Sequence, residues 1–234
     1  MTDPNPRRRL TGVLLLTSLV AMIAGTAIVV PSGLTLSPSD PGAALNAVRG
    51  QVRLHLTELV FDVLGWLALT AAGLVMAARP AETSRPYLVT LAGGLLAGAG
   101  LAGLLHDAGN LALTQLATRP TAPAATTVAL AVLLTAKWAV NLAGLLWVAA
   151  TAASAVGIPM PAGLRVTGVT AALIGLAAVV LPWTTGTDGP TGALEQLGYA
   201  LHIPVMVWYG VLGWRYLRRQ HAVVAALDHR SEPQ

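Results

Sequence analysis

The chain has 234 residues, of which 55% are hydrophobic and 10% charged, and its formal net charge is +4. A soluble domain carries roughly 25% charge, so this composition excludes an ordinary soluble protein, and the lack of cysteine excludes disulfides, thiolate metal sites and cysteine nucleophiles. The basic residues are thirteen arginines flanking apolar segments and one lysine, Lys137, inside such a segment; the arginine charge therefore marks membrane edges rather than a nucleic-acid surface.

Crossing a hydrocarbon core takes roughly 20 apolar residues in a helix. Six spans of that kind are predicted: Leu10–Val30, Thr57–Ala77, Tyr87–Leu111, Thr126–Ala152, Gly163–Leu181 and Leu197–Leu217. Pro31 to Pro41 separates the first two, Arg79-Pro80 ends the second, and Arg119-Pro120 with Pro123 ends the third. Pro159 and Pro161 precede the fifth, and the polar run Thr184–Gly192 follows it. Residues 1–234 read as one transmembrane domain whose tail, from 218, is cytoplasmic, and no internal repeat is visible.

The arginines orient the bundle. With six spans, Arg7, Arg8, Arg9, Arg79, Arg85, Arg165, Arg215, Arg218, Arg219 and Arg230 all fall on one side, leaving Arg49, Arg53 and Arg119 on the other. The expected fold class is all-α: a polytopic six-transmembrane-helix bundle with both termini cytoplasmic. The first apolar run is about twice as long as a signal-peptide core and lacks a small-x-small cleavage site, so it reads as an uncleaved helix. An alanine- and leucine-rich composition that uses arginine in place of lysine points to a bacterial plasma membrane.

This orientation places the polar residues in depth. Glu58 and Asp62 start the inward-running second span, and His106, Asp107 and Asn110 end the outward-running third. Lys137 lies eleven residues into the fourth, about 16 Å deep at 1.5 Å per residue, with Asn141 one turn below. Tyr199 and His202 occupy the outer half of the sixth. Spacings of three and four within each helix put these groups on shared faces. Four helices thus contribute to one polar layer between the midplane and the outer surface.

Two readings fit that layer. In one it is interhelical glue: hydrogen bonds and one buried ion pair of Lys137 with Glu58, Asp62 or Asp107. In the other it is an outward-facing pocket for a small molecule or a proton, since intramembrane ionisable groups are functional candidates by default. A pocket would use Lys137 as the anchor for a small, anionic or amphipathic ligand, for binding or transport, and the carboxylates as its counter-ions. An alternative is an intramembrane enzyme that uses a buried carboxylic acid on a lipid or isoprenoid. A structural or accessory subunit is the third reading.

Other features add less. Gly93, Gly94, Gly98, Gly100 and Gly103 form a small-residue face, with a Gly94-xxx-Gly98 match, suited to close packing at the bundle centre. Trp183 and Trp214 suit an interfacial belt, whereas Trp138 and Trp208 lie deeper, where ordinary packing is the expectation and a pocket wall the alternative. Pro204 is expected to kink the last span. A metal at His55, His106 and His202 with the carboxylates lacks an HExxH or HxxxH pair, and His55 reads as loop or interface, so no metal and no cofactor are assigned. A retinal Schiff base on Lys137 does not fit six spans. The expected partners are membrane lipids and a small-molecule or lipid ligand, with no nucleic acid.

Three stretches carry a family likeness: RRLTGVLLLTSLVAMIAGTAIV, VRLHLTELVFDVLGWLALTAAGL and KWAVNLAGLLWVAATAASAVGIPMPAGLRVTGVTAALIGLAAVV, with the close LGYALHIPVMVWYGVLGWRYLRR. In helix order, loop length and an Ile-Pro approach to the fifth span, the chain resembles a bacterial multi-pass family catalogued as domain of unknown function 4386. The resemblance implies a compact membrane bundle, and it implies no activity or site residue.

Overall fold

The computed structural model describes residues 6–78, 85–119, 124–188 and 191–228. Arg79, Pro80, Pro120, Pro123 and Arg230 lie outside them. Seven α-helices follow one another: α1 (Pro6–Ser32), α2 (Pro41–Gly50), α3 (Val52–Ala78), α4 (Pro86–Thr118), α5 (Ala125–Gly157), α6 (Ala162–Val180) and α7 (Gly192–Asp228). A 3-10 turn over Leu181–Asp188 extends α6, and there is no strand among the described residues. All helices except α2 are long and apolar enough to span a bilayer. The six-span membrane architecture is therefore present.

The long helices close into a ring. α1 packs on α3, α3 on α4, α4 on α5, α5 on α6, α6 on α7, and α7 returns to α1. In the half of the ring nearer the termini, aromatic side chains fill the axis. Trp66 meets Trp147 edge-on at 5.8 Å, Trp147 lies 6.3 Å from Tyr209, and Tyr209 meets Trp208 edge-on at 5.0 Å. Such pairs add about 0.5–1.5 kcal/mol each beyond the area they bury. Trp208 donates its indole N–H to Leu164 O at 2.9 Å and is buried in this core rather than walling a pocket.

Glycine sets how closely the helices approach here. A Cβ on Gly73 would lie 2.6 Å from Gly93 O, one on Gly100 would lie 2.7 Å from Trp66 O, and one on Gly103 would enter the Trp66 ring. Between α1 and α7, a Cβ on Gly12 would lie 2.7 Å from Gly213 O. The expected Gly94-xxx-Gly98 pair is not the contact. Gly94 has open space around its Cβ direction and Gly98 meets only Leu146. The packing face of α4 turns toward α3 through Gly93, Gly100 and Gly103.

Several boundaries differ from those read in the sequence. α1 runs through Pro31, whereas Pro204 lies inside α7 as it lies inside the predicted span. α7 starts at Gly192 rather than Leu197 and continues as helix to Asp228. The segment that reads as a proline-rich connection contains α2. Asp40 caps it by accepting the Ala43 N–H at 2.8 Å, and Pro41 occupies the first turn, where its missing N–H costs nothing. α2 lies across the far ends of α4 and α5, where Leu36, Leu45 and Val48 pack with Leu113, Ala117 and Leu133. Arg49 donates to Ala117 O at 2.8 Å and so satisfies a carbonyl in the last turn of α4. Gly33, at φ +72°, makes the left-handed turn out of α1.

Candidate functional site

The helix directions bring the polar residues of four helices together in the half of the bundle far from the termini. On α3, His55, Glu58 and Asp62 occupy successive turns. On α4, Asp107 faces α3, while His106 reaches α5. His106 Nδ1 lies 2.9 Å from Ala136 O, and Asn110 Nδ2 lies 2.9 Å from His106 Nε2. A carbonyl only accepts, so Nδ1 carries the proton, and Nε2 accepts from the Asn110 amide. Both ring nitrogens are engaged, and this fixes a neutral tautomer. His55, expected at a loop or interface, is instead buried on α3, with Nδ1 3.6 Å from Glu58 Oε2.

Lys137 does not pair with the carboxylates expected from the sequence. Its Nζ donates to Glu195 Oε2 at 2.7 Å, between α5 and the first turn of α7, and both side chains are buried. Glu195 escapes the sequence reading because the apolar run of the last span begins at Leu197, which leaves Glu195 in a loop. The signal available is Thr191, whose hydroxyl accepts the Leu194 N–H at 3.4 Å and which therefore starts the helix about a turn and a half earlier. An acidic residue in a first turn is also favoured by the helix dipole.

The neighbouring carboxylates remain without a cation. Oxygens of Asp62 and Asp107 and a ring nitrogen of His106 all lie within 4.8 Å of one another. Asp107 is 3% exposed, and neither of its oxygens has a hydrogen-bond partner. This trio has the composition of a metal site. Its histidine is already committed to Ala136 and Asn110, so what remains is two carboxyl groups facing each other, hydrogen-bonded when one of them carries a proton.

Two cavities meet at this layer. The smaller, about 70 Å³, lies under the α1–α2 connection at Leu34, Thr35 and Leu36 and is bounded by His55, Glu58, His106 and Asn110. The larger, about 660 Å³, lies between α1, α5 and α7, with Asp62 and Trp66 of α3 behind it. Thr26, Val30, Asp62, Lys137, Val140 and Tyr199 border both. The larger volume falls in the range of ligand sites, about 300–1,000 Å³. At one end it is polar, with Lys137, Glu195, Asp62, Tyr199 and His202; its remaining walls are mainly apolar and include Met22, Trp138 and Trp147. Its rim on α1 and α7 consists of half-exposed apolar residues, Ile23, Val30, Ile203 and Val207.

Of the nine residues singled out in the sequence, Lys137, Asp62, Tyr199, His202 and Asn141 border the larger cavity. Glu58, His106 and Asn110 border the smaller, and Asp107 lies behind Asp62. Asn141 is held away from a ligand role: it donates to Val179 O at 2.9 Å and accepts from Trp183 Nε1 at 3.0 Å, tying α5 to the end of α6. His202 Nδ1 lies 3.3 Å from Gly198 O, leaving Nε2 without a partner. Trp183 and Trp214 are exposed, as an interfacial position requires.

No family model, no curated protein and no solved structure matches the chain.

Proposed function

We propose that this chain binds or transports a small amphipathic molecule within a bacterial plasma membrane, taking it into the larger chamber between α1 and α7. The orientation inferred from the arginines puts the chamber in the outer half of the bilayer. The observation that carries this reading is the chamber itself: a ligand-sized volume with apolar walls, polar at one end, and rimmed by side chains that face hydrocarbon. A single structural ion pair needs no such space, since interiors otherwise pack to crystal-like density. Membership in the family of domain of unknown function 4386 belongs to the same proposal and adds no activity to it.

Gly198 gives the test. It borders the chamber, and a Cβ on it would meet nothing within 4 Å, so Gly198→Trp adds an indole at the chamber from a position with open space at its Cβ. A pyrene-labelled single-chain amphiphile should bind the parent protein saturably in detergent. With Gly198→Trp, binding should fall at least about tenfold, or about 1.4 kcal/mol. Equal binding by a folded Gly198→Trp variant would sink the proposal.

A second reading has one observation in its favour. Asp62 places a carboxyl group on the lipid-side chamber rather than in an ion pair. That is where an intramembrane enzyme acting on a lipid or isoprenoid needs a general acid. Turnover of such a substrate that is lost in Asp62→Asn while amphiphile binding is kept would favour this reading.

A further inference from the structure

Resting on the chamber as a ligand site, we infer that the polar end of its ligand is a cation, making the ligand a hydrophobic ammonium or similar organic cation. The lysine that invites an anion is not available to one, because Glu195 Oε2 sits 2.7 Å from Nζ and neutralises it. Beyond that pair, the acidic group on the chamber is Asp62, alongside Asn141, Tyr199 and His202. Glu195 Oε1 is buried without a hydrogen-bond partner on a side chain 6% exposed. Asp62 borders the chamber, and Asp107, with both oxygens unpartnered, stands behind it.

The other titratable groups around this end do not compensate those carboxylates. On α3, His55 and Glu58 lie 3.6 Å apart and balance each other whether both are charged or both neutral. On α4, His106 is held neutral by Ala136 O and Asn110. On α7, His202 keeps Nδ1 on Gly198 O and pairs with no carboxylate, and Tyr199 adds a phenol. With Lys137 paired to Glu195 and His55 to Glu58, the layer is left with two further carboxyl groups, Asp62 and Asp107, and no cation among the described residues to pair with them. Two carboxyl groups side by side share one proton and keep one negative charge, which a cation balances and an arriving anion does not. Trp66, Trp138 and Trp147 border the same chamber, and indole faces attract cations by about 0.5–2 kcal/mol each.

Two ions of one shape and opposite charge decide the matter: tetraphenylphosphonium and tetraphenylborate. Binding is measured by equilibrium dialysis against the purified full chain in detergent, with the Gly198→Trp protein as the blank for partition into micelles. The cation should bind at least about tenfold more tightly than the anion. Asp62→Asn should lower the cation's affinity by about tenfold and leave the anion's unchanged or improved. Equal binding of the two ions, or a preference for tetraphenylborate, overturns the inference, and the wild-type comparison is sufficient by itself if Asp62→Asn does not fold. A folded Asp62→Asn variant with unchanged cation affinity overturns it as well. If both ions bind equally above the blank, the chamber stands and only its charge preference falls. If neither ion binds and the pyrene amphiphile also fails, the chamber reading falls with it.

Discussion

The two halves of this bundle are built from the same six helices and solve opposite problems. Nearer the termini, glycines at 12, 73, 93, 100 and 213 let helix backbones touch, Gly103 makes room for the Trp66 ring, and Trp66, Trp147, Trp208 and Tyr209 fill the axis. In the far half, the α1–α7 gap is left open, the axis holds carboxylates and a lysine, and α2 lies across the ends of α4 and α5. Small residues close a ring where no solvent is needed, and charged residues keep it from closing where a guest is to be held. In lipid the bundle has little hydrophobic drive of its own, so local geometry decides which half packs.

The largest effect should come from breaking the far half's ion pair. Lys137→Met leaves Glu195 buried without its cation, and stability to SDS unfolding in micelles should fall by about 3–5 kcal/mol. The double variant Lys137→Met with Glu195→Gln should recover most of that loss. If the single variant is as stable as the parent, the pair is not holding the far half together.

A matched pair of glycine changes sharpens the contrast between the halves. Gly73→Ala pushes a methyl to 2.6 Å from Gly93 O and should cost about 1–3 kcal/mol in the same unfolding assay. Gly198→Ala has nothing within 4 Å and should stabilise by up to about 1 kcal/mol, because alanine is the better helix former. Equal effects at the two sites would erase the distinction between a packed half and an open one. The smallest effect is expected at the cover: Asp40→Ala removes the α2 cap for about 1 kcal/mol. It should speed hydrogen exchange of the α2 amides without changing that of α4, whereas uniform exchange would show that α2 is not a separate unit.

The six spans are legible because apolar length is a strong signal, and the convergence of Lys137, Asp62, Tyr199 and His202 on one level follows from span direction alone. Partnership is not legible. Glu195 lies 58 residues from Lys137, and it falls outside the predicted span because the polar run before it masks the cap at Thr191. The α2 cap, Asp40-Pro41, is present in the sequence but submerged in a stretch whose prolines read as breaks. Which glycines touch depends on the rotation of α4 about its own axis, and an apolar helix with small residues all round does not reveal that rotation. His55 reads as loop for a related reason: α3 begins at Val52, a turn and a half before the apolar run makes it visible.

The contact of α1 with α7 has a mechanical consequence. The two helices meet closely near Gly12, Gly213 and Gly210, and farther along the chamber lies between them. A tilt of α7 about that contact, against its packing on α6, would make the contact a hinge. Glu195 sits 15 residues from Gly210 along α7, a lever arm of about 22 Å, so a swing of α7 through about 10° carries its carboxylate about 4 Å. That exceeds the 2.7 Å separating it from Lys137. Widening the gap toward lipid and unlatching the ion pair are then one motion.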